Sequence, residues 1–214
     1  MTSSQSDGAQ SPGQDSGHVA LTRILALTNR ASPSIYAPSD DSLLMVDVLS
    51  QMSLTGKRVL DMGTGSGILG VYCAVRGADV TACDIDQSTV SRVGEVASML
   101  GVKLRLIVSD LFSNIQDQFD LIIFNPPYLP SRGVEDRSVD GGANGTRVIE
   151  KFLRQIPSHL ARRAQALLLV SNLNDPAALQ LRHNNFEFST VAKRSFFFEQ
   201  LQVLRLRLRD DLSI

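Results

Sequence analysis

The chain has almost no net charge: 21 Lys and Arg stand against 22 Asp and Glu, a formal −1. So close a balance exerts no global pull on nucleic acid, and any basic surface must be local. Cysteine is scarce. The two present, Cys73 and Cys83, lie inside apolar segments without metal-ligand spacing. That excludes a disulfide framework and fits buried thiols in a reducing cytoplasm. No apolar run reaches the roughly 20 residues that a membrane-spanning helix needs. The first residues, MTSSQSDGAQSPGQDSGH, have neither a basic start nor an apolar centre, so they do not read as a secretory signal. Their Ser, Gly, Gln and Asp bury too little apolar surface to order. Residues 1–18 are therefore expected to be a disordered tail ahead of a single domain over 19–214. Internal repeats are absent, and the three histidines, His18, His159 and His183, fall outside every motif of the chain.

What is present is an alternation of short apolar runs with helical patterns. Strands are expected at Arg58–Asp61, Asp79–Asp84, Lys103–Val108, Phe119–Phe124 and Gln165–Ser171. Between and after them, Ser66–Gly77, Ser88–Gly101, Thr146–Leu160 and Pro176–Asn184 read as helices. Two further helices, Val19–Asn29 and Asp41–Met52, are expected upstream, joined by the Pro-rich ASPSIYAPSD. This order implies right-handed crossovers and a parallel sheet with helices on both faces. Glu187–Lys193 and Phe197–Arg209 read as two last strands. The few residues between them leave no room for a crossover helix, so they should pair antiparallel. The last alternates as VLRLRLR, with Leu204, Leu206 and Leu208 on one face. Arg205, Arg207 and Arg209 lie on the other, expected to be a solvated face near the edge of the sheet.

The first strand runs into DMGTGSGILG, residues 61–70, and a helix follows. A strand, a glycine turn and a helix form a nucleotide-binding crevice, because the backbone must bend sharply and let a ligand come close without Cβ obstruction. Asp84 ends the second strand at roughly 20 residues from the turn, where an acid accepts both ribose hydroxyls. Asp110 follows the third strand and Asn125 the fourth, so four strands in a row lead into a polar residue at the edge where open α/β sheets bind ligands. The spacing differs from the phosphate-cradling G-x-G-x-x-G, and no Lys-Ser/Thr pair or divalent-ion cluster accompanies it. A ligand with ribose and adenine, without phosphate, suits this loop. Its ammonium group would meet Asp61, and its carboxylate the backbone N–H groups or a nearby hydroxyl. S-adenosylmethionine has those parts.

Asn125-Pro126-Pro127-Tyr128 follows the fourth strand directly. The prolines stiffen the turn and hold Asn125 extended. The Asn125 side-chain oxygen and the Pro126 carbonyl are two acceptors that can hold the N–H groups of an amide or aromatic amine, aim its lone pair, and stabilise the charge that develops on transfer. Tyr128 can pack on the planar group.

With these motifs the chain resembles class I methyltransferases of the HemK type, which methylate the glutamine of the Gly-Gly-Gln motif in translation release factors. The resemblance spans about residues 35–208. It rests on DMGTGSG, on FDLIIFNPPYLP and on DGGANG at 140–145. The segment from Ile35 to Leu44 is similar to the Y-x-P-x-E/D-D-T/S stretch of the archaeal and eukaryotic branch, with Asp40 and Asp61 standing where many relatives have Glu. The resemblance implies a seven-stranded, mostly parallel Rossmann-like sheet with an antiparallel final strand. It also implies S-adenosylmethionine contacts from Tyr36, Pro38 and Ser42, from the loop residues Asp61, Gly63, Thr64, Gly65 and Gly67, and from Asp84, Ile85, Asp110, Leu111 and Asn125. Catalysis would fall to Asn125, Pro126, Pro127 and Tyr128. Some members of that branch need a small zinc-binding activator that adds a strand beside the third strand, here KLRLIV.

A base amine of DNA or RNA is the competing acceptor. Such an enzyme usually needs a basic, aromatic-lined path or a recognition domain. Neither is clear here, although Arg132, Arg137 and Arg147 flank the NPPY segment. A non-catalytic scaffold that keeps the fold is a third reading, and the intact loop and NPPY argue against it.

Overall fold

Residues 21–28, 40–128, 146–197 and 199–209 are described in the computed structural model. The tail, Tyr36, Pro38 and the DGGANG stretch lie outside them. Helix α1 covers residues 21–28. It is followed by α2 (Asp40–Ser50), β1 (Arg58–Met62), α3 (Ile68–Val75), β2 (Asp79–Asp84), α4 (Gln87–Met99), β3 (Arg105–Val108) and β4 (Phe119–Phe124). The second half comprises α5 (Arg147–Gln155), β5 (Leu160–Ser171), α6 (Pro176–Arg182), β6 (Phe186–Ser195) and β7 (Gln200–Leu208).

The seven strands lie in the order β3-β2-β1-β4-β5-β7-β6. The pairs from β3 to β5 are parallel, and β7 runs antiparallel to both β5 and β6. Helices α1 to α4 pack on one face and α5 and α6 on the other. On β4, Leu121 and Ile123 enter the first apolar cluster while Ile122 and Phe124 enter the second. Both faces are therefore covered, which is why that strand reads as a near-continuous apolar run, interrupted only by Asp120 near its start. The order in which strands are added to the sheet reverses between β1 and β4, which are adjacent and parallel with Met62 opposite Phe124. A doubly wound sheet opens its ligand crevice at such a reversal.

Some boundaries differ from those expected. The helix expected to run from Thr146 to Leu160 stops at Gln155 and gives way to a 3₁₀ turn, Ile156–His159. Pro157 can neither donate to an α-helix interior nor tolerate the preceding carbonyl. β5 begins at Leu160, because a register shift between Phe119 and Leu121 lets the additional residues pair with β4. β7 begins only at Gln200, since Phe196 and Phe197 form the hairpin turn, closed by the Phe196 N–H donating to the Glu199 carbonyl. β7 lies second from the edge. Leu204 and Leu206 are fully buried, and Val203 on the arginine-bearing face is buried too. That face is thus only partly solvated, with Arg207 exposed and Arg205 half-buried. Among the described residues no helix is long and apolar enough to cross a membrane.

Candidate active site

The glycine loop leaves β1 between Asp61, one residue before the strand's end, and α3. Gly63, Gly65 and Gly67 all adopt positive φ, at 61°, 51° and 81°. Their individual needs differ. A Cβ on Gly67 would sit 2.9 Å from Val93 of α4, so this glycine lets two helices approach. A Cβ on Gly65 would meet nothing nearer than the Gly63 carbonyl at 3.9 Å. Gly65 is therefore required for its conformation and for the open space above it. The Gly65 N–H donates to Asp84 Oδ2 at 3.1 Å, and the Thr64 N–H donates to the Cys83 carbonyl at 2.8 Å. The loop is thus tied to the end of β2.

Asp61 is 1 % exposed. Its Oδ2 accepts from the Thr64 hydroxyl at 2.6 Å and from the Gly70 N–H at 2.8 Å. Among the described residues its Oδ1 has no partner. Burial pushes its carboxyl from 3.8 up to about 7; the two hydrogen bonds oppose this rise and Asp84 adds to it. A carboxylate held at such a cost is ready for a cation. Gly70, which sequence reasoning did not single out, has a structural reason: its Cβ would lie 2.8 Å from Asp61 Oδ2. Only the fact that it closes the glycine run signals it in the sequence.

Asp84 keeps lone pairs free beyond its bonds from Gly65 and from the Asp86 N–H. Ile85 beside it is 60 % exposed, an apolar surface at the rim of the crevice. Asp110, beyond the end of β3, pairs with Lys151 Nζ of α5 at 2.6 Å, and Leu111 follows it in the left-handed region at φ 51°. Cys73 and Cys83 are free and buried, and burial pushes the Cys83 thiol up to about 12. Neither is a nucleophile at neutral pH.

Directly after the neighbouring β4, the Asn125 Oδ1 atom is buried and has no hydrogen-bond partner among the described residues. Leaving a buried acceptor unpaired costs about 1–3 kcal/mol, so such an atom calls for an explanation. Pro126 is buried beside it. Tyr128 is half-buried, packs against both apolar clusters, and donates its hydroxyl to Asp41 Oδ2 at 3.4 Å. Asp41 lies in the first turn of α2 and takes the Ser42 N–H on Oδ1. Ser42 is therefore carried to the same end of the sheet as NPPY. The Tyr128 carbonyl accepts from the Asn174 side-chain amide at 2.7 Å. Sequence reasoning missed Asp41 and Asn174 as site residues. Both lie far along the chain from Tyr128, and only the folded sheet brings them together.

The residues present fit S-adenosylmethionine. Asp61 offers a buried acceptor to a cation, Asp84 offers lone pairs to hydroxyls, and Gly65 leaves room. The Asn125 acceptor, unpartnered among the described residues, stands beside them.

Comparison with known proteins agrees. The family profile described as Methyltransferase small domain matches residues 38–198. A Methanocaldococcus jannaschii protein named as a candidate protein N5-glutamine methyltransferase is 31% identical over 195 residues, covering 86% of this chain and 97% of the relative. The ribosomal RNA small subunit methyltransferase C of Chromohalobacter salexigens is 31% identical over 184 residues, covering 83% of this chain but 52% of the relative. Among solved structures, the E. cuniculi Mtq2–Trm112 complex, described as responsible for methylation of the eRF1 translation termination factor, superposes with TM-score 0.69. It does so at 23% identity, covering 82% of this chain and 99% of that one. The T. thermophilus 16S rRNA N2 G1207 methyltransferase, solved with AdoMet and guanosine, gives TM-score 0.58 at 21% identity over 84% of this chain and 44% of that one. These two structures establish the fold.

Proposed function

Because the chain belongs to the Methyltransferase small domain family and uses S-adenosylmethionine, we propose that it methylates the side-chain amide nitrogen of the glutamine in the Gly-Gly-Gln motif of a translation release factor. The observation that carries this reading is the buried Asn125 Oδ1, which has no partner among the described residues and lies next to the β1 glycine loop. The cofactor, when bound, supplies a methyl group on a positive sulfur, an electrophile that needs no further activation.

This chain's own residues have the harder task, because an amide nitrogen has its lone pair delocalised. Asn125 Oδ1 and the Pro126 carbonyl accept the two N–H groups of the glutamine amide. They draw the nitrogen toward tetrahedral geometry and hold the positive charge it acquires. The proton becomes acidic only after transfer, so no general base is needed beforehand. The exposed part of Tyr128 packs on the amide plane. Asp61 takes the ammonium of the cofactor, and Asp84 its ribose hydroxyls. Ile85, Asp110 and Leu111 line the adenine side, while Thr64 and Ser42, whose hydroxyls donate to Asp61 and Asp41, offer their oxygens as acceptors. Tyr36 and Pro38, which lie outside the described residues, are added to the proposed cofactor contacts on the resemblance alone.

Gly70→Ala tests the Asp61 part. The substitution helps a helix by roughly 0.5–1 kcal/mol, yet it drives a Cβ into the carboxylate. Weaker cofactor binding by calorimetry is expected, and unchanged affinity would remove Asp61 from the site.

A base amine offers an NH₂ to the same two acceptors, and the relative that acts on ribosomal RNA keeps that second reading in view. The match to the glutamine-type relative over 97% of its length supports the first. Mass spectrometry of a release factor and of ribosomal RNA after reaction decides between them. One added methyl on the Gly-Gly-Gln glutamine is expected, and methyl on RNA alone would overturn the reading.

The proposal extends to a small zinc-binding activator subunit pairing along β3. That strand ends the sheet, and Leu106, Ile107 and Val108 on it are only half-buried. An open edge of this kind invites a further strand. The same reaction run with the chain alone should be slow; full activity without a partner would count against the subunit.

A further inference from the structure

β4 and β5 pair in register up to Phe124 opposite Leu168. Beyond that pair β4 continues as Asn125-Pro126-Pro127-Tyr128, and neither proline has an N–H to donate to β5. The segment that carries the reacting acceptor therefore leaves the sheet just where it must be held most accurately. The bond that replaces the missing ladder comes from the turn after β5. Asn174, 1 % exposed, donates its Nδ2 to the Tyr128 carbonyl at 2.7 Å and accepts the Ser171 N–H on Oδ1 at 2.8 Å.

The turn itself is fixed by short-range bonds. The Ser171 hydroxyl accepts from the Leu173 N–H at 3.2 Å, and Asn172 Oδ1 accepts from the Gln200 N–H at 2.8 Å, tying the turn to β7. Asp175 then caps α6 by accepting from the Ala178 N–H. Asn174 is thus anchored through β5 and β7 and reaches across to the far end of NPPY. Tyr128 is gripped from the other side by its hydroxyl bond to Asp41. Only an amide can serve at position 174, since one end must accept and the other donate.

We infer that Asn174 is a positioning residue for methyl transfer: by holding the Tyr128 carbonyl it fixes the Asn125–Tyr128 segment against β5. The inference rests on the reading of that segment as the acceptor site. Asn174 acts through the Tyr128 carbonyl, and its loss works by a small displacement of Asn125, which at an acceptor of this kind costs about 10-fold to 10²-fold in rate.

The test uses the full chain, with its partner subunit where it has one, and a release-factor domain bearing the Gly-Gly-Gln loop. Asn174→Asp preserves size and the acceptor for the Ser171 N–H but turns an oxygen toward the Tyr128 carbonyl at mildly alkaline pH. Asn174→Ala removes both bonds. Both variants are expected to lose at least about 10-fold in kcat while the KM for cofactor stays within about twofold. Leu160→Ala empties buried apolar space at the opposite end of β5 and leaves the turn at Asn174 intact. It should lower Tm and leave kcat within about twofold of the parent. A purely structural role for Asn174 would give Asn174→Asp the behaviour of Leu160→Ala, and that result overturns the inference. So does a loss lying wholly in cofactor KM. Should Asn174→Ala fail to fold, the near-isosteric Asn174→Asp decides. A parent chain inactive on the release-factor domain overturns the functional reading and this inference with it, whereas an active parent matched in kcat by Asn174→Asp overturns this inference alone.

Discussion

An Asn125→Ala chain is expected to bind S-adenosylmethionine like the parent and to turn over about 10²–10³-fold more slowly, a loss of roughly 3–4 kcal/mol in transition-state stabilisation. The sign follows from where the acceptor sits. Its Oδ1 is buried and unpartnered among the described residues, so removing it breaks no bond among them and even relieves an uncompensated polar atom. Stability should therefore hold or rise slightly. What is lost is one of two acceptors that tighten on the amide as its nitrogen becomes positive, and such a group acts on kcat more than on KM. Steady-state kinetics with cofactor calorimetry separates the two. Near-normal kcat in a folded variant would leave Asn125 without a catalytic role. A large rise in cofactor Kd would make it a cofactor residue instead.

Removing the charge at Asp61 has the next largest effect. Burial lifts its carboxyl from 3.8 to about 7, so the folded chain binds that proton more tightly than the unfolded chain does. The stability this contributes is fully present below about 4 and is lost as pH rises through about 7. A tenfold difference in proton affinity between the folded and unfolded chain is worth roughly 1.4 kcal/mol. The cofactor-free protein should accordingly melt at lower temperature as pH climbs across that window, and Asp61→Asn should flatten the slope. A bound ammonium reverses the preference by favouring the carboxylate, so cofactor affinity of the parent should rise with pH over the same range. In Asp61→Asn that rise should vanish, and affinity at neutral pH should fall by about 10-fold to 10²-fold, corresponding to a charge-assisted hydrogen bond of roughly 1.5–3 kcal/mol. Affinity independent of pH in the parent would detach Asp61 from the ammonium.

Much of this site can be read from the chain itself, and what cannot has a common cause. β2 and β4 have the bounds expected of them: β4 because a strand covered on both faces leaves a near-continuous apolar run, β2 because Asp79 and Asp84 mark its two ends. The glycine loop and Asn125 are legible because backbone conformation and a proline-stiffened strand end are local properties. Pro157 is also visible, yet the helical pattern around it conceals the stop at Gln155. What escapes is contact between distant parts of the chain. Tyr128 meets Asp41 across 87 positions and Asn174 across 46. In the sequence Asp41 reads only as part of the segment from Ile35 to Leu44, with nothing to pair it with Tyr128, and Asn174 as one of several polar residues ahead of Pro176. The proximity of Gly70 to Asp61 depends likewise on how α3 folds back over β1.

The most direct measurement is a crystal structure with S-adenosylhomocysteine and a Gly-Gly-Gln peptide bound together. Asn125 Oδ1 is expected about 2.7–3.1 Å from the glutamine side-chain nitrogen, giving it the partner it lacks among the described residues. An Asn125 side chain turned away from that nitrogen, with the glutamine amide held by other residues, would contradict the account.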